Sequence, residues 1–261
     1  KVDRMQLERR DPSNFPTTYV RVVAANGIAD FTDHVAKPEY KEVRDQFAAI
    51  IARYEELFAK FSLAKENTVF ALIYLDNAYT ETDVEDIWSG WIGDINAHVI
   101  WVPGKFYTDR KVAITFFVGT SAASAAAART DATWQADVND MFALTGAQAR
   151  LSVHNGVAYL TGTASMQGKP IGEQSREVLD TIDALMERYH LKRENLVQHF
   201  SYVSDRPEVD IDAYEAEWKR WVGEDNHPPS GVRIQLHIPE GHEVEITLLF
   251  AVEDDYQIPA E

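Results

Sequence analysis

The sequence predicts an α+β protein made of two tandem copies of one small domain, each a mixed β-sheet with two helices packed on one face. Three observations support this: a turn-and-strand motif occurs twice, a long amphipathic helix occurs twice, and about 129 to 136 residues separate the copies throughout. Length alone leaves the domain number open, because 261 residues could form one domain or two. The duplication therefore decides for two domains.

A turn followed by a strand opens each copy. Residues 26–32 read Asn-Gly-Ile-Ala-Asp-Phe-Thr, and residues 155–161 read Asn-Gly-Val-Ala-Tyr-Leu-Thr. Asn-Gly is a turn dipeptide, and the alternation of residue types after it is typical of a strand. We therefore predict a turn and a strand at both places.

Two helices follow at corresponding positions in each copy. Apolar residues recur at helical spacing over 43–61 and over 178–189, so each segment predicts an amphipathic helix. A shorter helix in each copy carries two tryptophans three residues apart, which share one helix face. Aromatic residues at this spacing more often belong to the core than to a stacking site, so we assign both pairs to the core. The pairs are Trp88 with Trp91 and Trp218 with Trp221.

The remaining strands complete the repeat. Lys-Glu-Asn at 65–67 and Arg-Glu-Asn at 193–195 each connect a helix to a strand. Two helices can cover only one face of such a sheet, so another domain is expected to bury the other face. The predicted strands after these connections are 68–75, 99–103 and 111–118 in the first copy, and 196–203, 232–239 and 244–252 in the second.

These elements divide the chain into five segments. An N-terminal extension (1–16) precedes the first domain (17–120), and a connector (121–150) leads to the second domain (151–253), which a short tail (254–261) follows. The connector begins Ala-rich and continues with mixed composition. We interpret it as a linker that contains a helix and an extra strand, and not as a third domain.

Composition argues against several classes of function. Hydrophobic residues make up 45% of the chain, which is enough for packed cores. The net charge of −17, without any cluster of Lys and Arg, argues against nucleic acid as a partner. No apolar run reaches the roughly 18 to 20 residues that cross a bilayer. No membrane partner is therefore expected, and the cytoplasm is the default localisation.

The residues needed for metal or cofactor chemistry do not form recognisable motifs. Cysteine is absent, which removes disulfides, thiolate nucleophiles and Cys-ligated metals. The eight histidines are scattered without paired spacing, and there is no Gly-rich phosphate loop and no Gly-x-Ser-x-Gly elbow. We therefore predict neither a metal nor a cofactor.

Three short motifs of the second copy share their order and spacing with a known family. They are Tyr-Leu-Thr-Gly at 159–162, Glu-Asn-Leu-Val at 194–197 and Pro-Glu-Gly-His-Glu-Val-Glu-Ile at 239–246. They resemble a strand ending in a Ser-Gly or Thr-Gly turn, a helix-to-strand junction and a Pro-x-Gly-x-x-Val-Glu-Ile ending of RidA/YjgF (YER057c/UK114) proteins. That family contains enamine and imine deaminases. The resemblance covers about 100 residues in each half of the chain.

This resemblance implies a chorismate mutase-like fold, in which domains assemble as trimers with ligand clefts between neighbours. For a two-domain chain it implies a homotrimer of six domains in two stacked rings. In deaminating members, an Arg nine residues before the closing-strand Pro holds the substrate carboxylate, and the Glu of the Val-Glu-Ile segment orients the attacking water. Counting in this way places Ser230 and Asp94 at the Arg position, and Glu245 and Ala113 at the Glu position.

Glu245 is the predicted catalytic residue. A carboxylate on a strand beside a cleft can have a raised pKa and act as general acid and base, whereas a solvated or salt-bridged strand glutamate is the structural alternative. Ser230 is a predicted substrate ligand, because its hydroxyl could bond a neutral group, although it could equally be a turn residue. Thr161 and Gly162 are expected to line the same site through the Thr-Gly turn.

Two charged residues complete the predicted substrate site. Glu215 stands three residues before the first tryptophan of its helix, as Glu85 does in the first copy, and a solvated helix face is the alternative role. Arg233 could supply the missing cation. The alternation of its strand, however, places it on the face opposite Ser230 unless a bulge intervenes.

The sequence thus predicts a RidA-like hydrolase or deaminase that acts on a small imine, enamine or amide-type metabolite with a Glu-positioned water. The first copy is expected to be a structural partner. A non-catalytic small-molecule-binding or regulatory protein is the alternative, since neither copy keeps the Arg. Two further readings are an enzyme for cyclic substrates, as in chorismatases and cyanuric acid hydrolases, and a ribonuclease. The net charge of −17 argues against the ribonuclease.

Overall fold

A computed structural model of the chain describes residues 4–9, 20–33, 39–106, 109–132, 136, 150–154, 156–163, 167–223, 230–238, 240–253 and 255–260. The chain divides into two compact units. The first unit spans Gly27–Gln135, and the second unit comprises Lys1–Asn26 together with Ala136–Glu261.

Eleven strands and five α-helices are described. The strands are β1 (Arg4–Arg9), β2 (Val20–Ala25), β3 (Ile28–Asp33), β4 (Thr68–Asp76), β5 (His98–Gly104), β6 (Val112–Gly119), β7 (Arg150–His154), β8 (Val157–Thr163), β9 (Leu196–Ser204), β10 (Ser230–Leu236) and β11 (Val244–Ala251). The helices are α1 (Val43–Lys60), α2 (Glu85–Ile92), α3 (Ala122–Arg129), α4 (Ile171–Arg188) and α5 (Ile211–Val222).

One strand order occurs in both units. In the first unit the order is β5-β4-β6-β3, with β4 and β5 parallel and the other pairs antiparallel. In the second unit β10-β9-β11-β8 repeats this order, again with one parallel pair, β9 and β10. The predicted α+β duplication is therefore confirmed. The second unit also contains β7 beside β8, β2 parallel to β10, and β1 antiparallel to β2.

The tryptophan pairs lie in the cores, as their spacing predicts. In the first unit the ring of Phe116 on β6 lies 5.9 Å from Trp88 and 4.4 Å from Tyr54, measured between centroids. In the second unit Trp218 is fully buried, and Trp221 is buried to all but 3% of its surface. In each core, the aromatic side chains of an amphipathic helix thus pack against a buried strand.

In each unit, a buried glutamine side chain forms hydrogen bonds between the start of the long helix and neighbouring loops. In the first unit Gln46 donates to the carbonyl oxygens of Tyr40 and Asp109 at 2.9 and 2.8 Å and accepts from the Lys111 amide at 2.8 Å. In the second unit Gln174 makes the same three bonds. It donates to the carbonyl oxygens of Lys169 and Gly241 at 2.8 and 3.0 Å and accepts from the Glu243 amide at 2.9 Å. This amide ties the helix start to the loop before the last strand.

Helix α4 begins at Ile171, seven residues before the segment whose apolar spacing predicts it. The first turns bury Gln174 and Ser175, so polar residues occupy the inward positions there. A hydrophobic period cannot reveal a helix face whose buried positions carry polar side chains. In the range predicted as a connector, α3 forms and contacts β6 and β4.

Candidate functional site

Glu245 lies on the sheet face that points away from the helices of the second unit. On the neighbouring strand β9, His199 rests against Trp218 of α5 with ring centroids 4.4 Å apart, so His199 faces the helices. The adjacent residue Phe200 faces the other way and is paired with Thr247. Because Glu245 is two residues from Thr247, it shares that side, which we call the outer face.

The carboxyl of Glu245 is buried, and it has no charged partner among the residues that the structure describes. Its residue is 4% exposed, and its Oε2 atom has no hydrogen-bond partner among the described residues. Burial raises the pKa of Glu245 to about 7. A carboxyl with this pKa is populated in both protonation states near neutral pH, which suits a group that takes and returns a proton.

Thr161 and Gly162, both predicted to line the site, point to opposite sides of the sheet. The hydroxyl of Thr161 lies 2.9 Å from that of Thr247, on the outer face with Glu245. A Cβ at Gly162 would instead meet Val178 of α4 at 3.6 Å, on the helix side. Ser230 is opposite Gln198 in the register of β10 and β9, which places its position on the outer face.

Arg233 and Glu215 lie together on the helix side, apart from Glu245. They form an ion pair between β10 and α5, and the guanidinium lies 5.9 Å from the centroid of the Tyr214 ring. Arg233 is paired with Ser201, two residues from the helix-facing His199. The strand alternation had placed Arg233 opposite Ser230, and β10 follows that alternation.

The registers define which residues of the first unit correspond to the site. Ala113 is paired with Tyr74 on β4 as Glu245 is paired with Tyr202 on β9. His98 is paired with Phe70 as Ser230 is paired with Gln198. The counterpart of Ser230 is therefore His98, and not Asp94, which lies in the turn before β5. Counting from proline fails here because Pro103 lies inside β5.

The first unit contains a buried carboxyl of its own, which the sequence analysis missed. Asp30 on β3 is 3% exposed, its Oδ1 atom has no hydrogen-bond partner among the described residues, and burial raises its pKa well above the usual value. Its counterpart in the matching turn-and-strand motifs is Tyr159. The sequence indicates this carboxyl only by an acidic residue between the apolar Ala29 and Phe31 of a predicted strand. The structure shows that both faces of that strand are buried.

Replacing Asp30 with Asn is expected to raise the free energy of unfolding at pH 8 by about 1 to 3 kcal/mol, because on folding the carboxyl must take up a proton or bury its charge, whereas the amide does neither. Since the folded-state pKa is raised, wild-type stability falls as the pH rises above the ordinary carboxyl range, so the gain should vanish near pH 4. Urea denaturation at both pH values measures this. The control Asp86→Asn removes an exposed carboxylate paired with Arg44 and should have little effect. Equal stability of Asp30→Asn and wild type at pH 8 would contradict the prediction.

A cavity of about 570 Å³ opens on the helix side of the second unit, between the first turns of α4 and α5. An ion pair of 2.6 Å between Arg176 and Glu217 joins the two helices at its wall. In the described part of the chain, no three His, Asp or Glu side chains converge to hold a metal ion. Every helix described is too short or too polar to span a lipid bilayer.

Comparison with known proteins finds similarity over less than half of the chain in each case. No family model matches the chain. A RutC family protein of Haemophilus ducreyi is 28% identical over 79 residues, which are 30% of this chain and 68% of that protein. Among solved structures, a YjgF family member from Neisseria meningitidis is 21% identical, with a TM-score of 0.35 over 40% of this chain and 86% of its own. A YjgF/YER057c/UK114 family member from Mycobacterium tuberculosis is 13% identical, with a TM-score of 0.40 over 45% and 99%.

The sequence match agrees with the duplicated topology. It covers less than a third of the chain but more than two thirds of the RutC family protein, as expected if one relative corresponds to one unit. The same strand order occurs once in each unit. The chain is therefore a tandem, two-unit relative of the RutC/RidA/YjgF proteins.

Proposed function

We propose that the second unit is a hydrolase of the deaminase type, which uses Glu245 to direct water onto the C–N double bond of a small imine or related metabolite. The observation that carries this proposal is the buried Glu245 carboxyl, whose pKa of about 7 lies near the working pH of a general base. The hydroxyls of Thr161 and Thr247 on the same face offer hydrogen bonds that could hold water or substrate.

The proposed reaction has two steps, and the proton moves only between Glu245, water and the substrate nitrogen. In the first step water attacks the carbon of a protonated imine while the Glu245 carboxylate accepts a water proton, which gives a neutral carbinolamine. In the second step the carboxyl returns this proton to nitrogen. The C–N bond then breaks, the hydroxyl proton leaves with the amine, and the products are a carbonyl compound and an ammonium ion.

The first unit is proposed to support the second without catalysing the reaction. At the position of Glu245 it has Ala113, whose methyl group can neither accept nor donate a proton. Its own buried carboxyl, Asp30, is paired with Phe117 and so occupies a different position of the sheet. These two differences confine the proposed chemistry to the second unit.

Replacing Glu245 with Gln is expected to lower kcat for hydrolysis of a small imine by about 100-fold or more, since general acid–base groups contribute about 10² to 10⁴. In the wild type, the rate should rise with pH up to about 7, as Glu245 ionises. The measurement is ammonia release from an imine generated in the assay. The matched control Asp30→Asn removes the other buried carboxyl and should retain activity. Equal rates for Glu245→Gln and wild type would refute the role of Glu245.

A non-catalytic small-molecule-binding protein is the second candidate. It is favoured by the helix-side position of Arg233, whose ion pair with Glu215 keeps it apart from Glu245. A binding protein would take up a ligand on the outer face without releasing ammonia from any imine, and Glu245→Gln would change only the affinity.

A further inference from the structure

The charge distribution on the outer face of the second unit narrows the class of molecules that it can bind. On the four strands β8 to β11, every position that shares this face with Glu245 carries an uncharged residue. Among those whose side chains the structure describes, the polar ones are Thr161, Gln198, Tyr202, Ser204 and Thr247. Hydroxyls and an amide can bond a ligand but cannot neutralise a carboxylate.

The two basic residues of these strands are held on the helix side. Arg233 pairs with Glu215, and His199 is fully buried against Trp218 with its Nδ1 atom 3.1 Å from the Ser201 hydroxyl. Neither can turn to the outer face without a shift of strand register, because successive side chains point to opposite sides of a sheet. Burial raises the pKa of Glu245, and no cation among the described residues offsets this rise.

A buried carboxylate without a counter-charge favours one kind of ligand and disfavours another. A cation with N–H donors would regain the solvation that Glu245 loses on burial, and it could bond the unpartnered Oε2 atom. A ligand carboxylate on the same face would place two like charges in a site of low dielectric. Ligand charge should therefore control affinity here.

We propose that this face selects molecules whose C–N group is positively charged, as in an iminium or amidinium ion, and rejects carboxylates. This rests on the proposed function and names its substrate class. It fits the proposed chemistry because a protonated imine is the form that water attacks. The positive carbon–nitrogen group would lie against the Glu245 carboxylate, where the proton of the attacking water is accepted.

Three isosteric probes test the proposal on the full chain at about pH 8: acetamidinium, acetamide and acetate. We expect acetamidinium to bind about ten-fold more tightly than acetamide, a difference of about 1.4 kcal/mol, and acetate to bind most weakly. Dissociation constants are measured by chemical-shift titration. In Glu245→Gln the three constants should come within about three-fold of one another, because the charge that orders them is gone.

A second variant excludes another source of selectivity. Arg150 on β7 is opposite Thr161 in the register of the two strands. In Arg150→Gln the order of the three probes should be unchanged. Acetate binding as tightly as acetamidinium, no saturable binding of acetamidinium, or the same order in Glu245→Gln would each overturn the proposal. A protein that orders the probes but hydrolyses no imine would contradict only the proposed function.

Discussion

Replacing Gly231 with Val is expected to lower the free energy of unfolding of the second unit by about 3 kcal/mol or more, which is the upper range for overpacked cores. A Cβ at this position of β10 would overlap the His199 ring and lie 2.6 Å from the His199 carbonyl oxygen. His199 cannot move away, because its other side rests on Trp218. Any side chain at position 231 would therefore occupy the space of the His199 ring.

The first unit supplies the partner substitution. In its sheet Ala71 on β4 is paired with Val99 on β5, at the same register as His199 with Gly231. The large and small residues have exchanged strands between the two units. Changing His199 to Ala and Gly231 to Val together removes the clash with the ring but keeps the close approach to the carbonyl oxygen of residue 199. The double variant should therefore recover only part of the stability that the valine alone removes.

A double-mutant cycle measured by urea denaturation with tryptophan fluorescence tests this exchange. His199→Ala alone should cost about 2 to 4 kcal/mol through the cavity that it leaves. The two single changes should then be strongly non-additive, with a coupling energy of about 2 kcal/mol or more. Additive effects of the two changes would show that the His199–Gly231 contact does not limit packing. Ala71→Gly in the first unit is the control, and it should leave the unfolding of the second unit unchanged.

Replacing Glu245 with Gln is expected to stabilise the second unit by up to about 3 kcal/mol at pH 8, even though it removes the proposed general base. The pKa of Glu245 rises from 4.5 to about 7 on folding, and each pKa unit corresponds to about 1.4 kcal/mol. The neutral amide retains the shape of the carboxyl without the cost of burying a charge. Loss of activity with gain of stability is the signature of a site held under strain for function.

The stability difference between wild type and Glu245→Gln is expected to depend on pH. Because the folded-state pKa is higher than the unfolded one, the folded protein binds the proton more tightly. Wild-type stability therefore falls as the pH rises from about 4.5 to about 7, and it becomes independent of this group above that range. Glu245→Gln lacks this dependence, so the two proteins should have similar free energies of unfolding near pH 4.5 and differ most above pH 7.

Denaturant titrations of both proteins between pH 4.5 and 8 measure this difference. Asp30 contributes a dependence of the same sign in the first unit, so each protein is also examined in an Asp30→Asn background. A stability difference that is constant with pH, or a wild type that is more stable than Glu245→Gln at pH 8, would show that Glu245 has a partner in solution.

Much of the fold follows from local patterns in the sequence. The Asn-Gly motifs, the helical stripes and the tryptophan pairs each occur twice at a nearly constant spacing. The turn at Asn26-Gly27, the helices and the tryptophan pairs form the elements that they predict, whereas Asn155 lies outside the described residues. These predictions hold because each pattern depends on residues that are close together in the sequence. Helix α4 is the exception, because its buried glutamine is followed by Ser175 where α1 has the apolar Phe47, which interrupts the apolar spacing at its start.

The candidate site was only partly predictable from the sequence, because it also depends on contacts between segments that are distant in the chain. Glu245 follows from its motif, and the alternation of β10 places Arg233 on the wrong side for it. His98 and Asp30 do not follow from sequence. The first requires the register of β4 with β5, and the second requires knowing that both faces of β3 are buried.

By itself, the sequence determined that the chain is a duplication, which elements each copy contains, and that one copy keeps a glutamate where the other has Ala113. Only the tertiary structure decided the environment of these residues. Glu245 is buried without a counter-charge among the described residues, Arg233 forms an ion pair with Glu215, and Gly231 leaves space for the His199 ring. The physical reason is that turns and helix stripes are set by short-range interactions. Burial and strand register depend on segments more than 30 residues apart in the chain, which meet only in the folded protein.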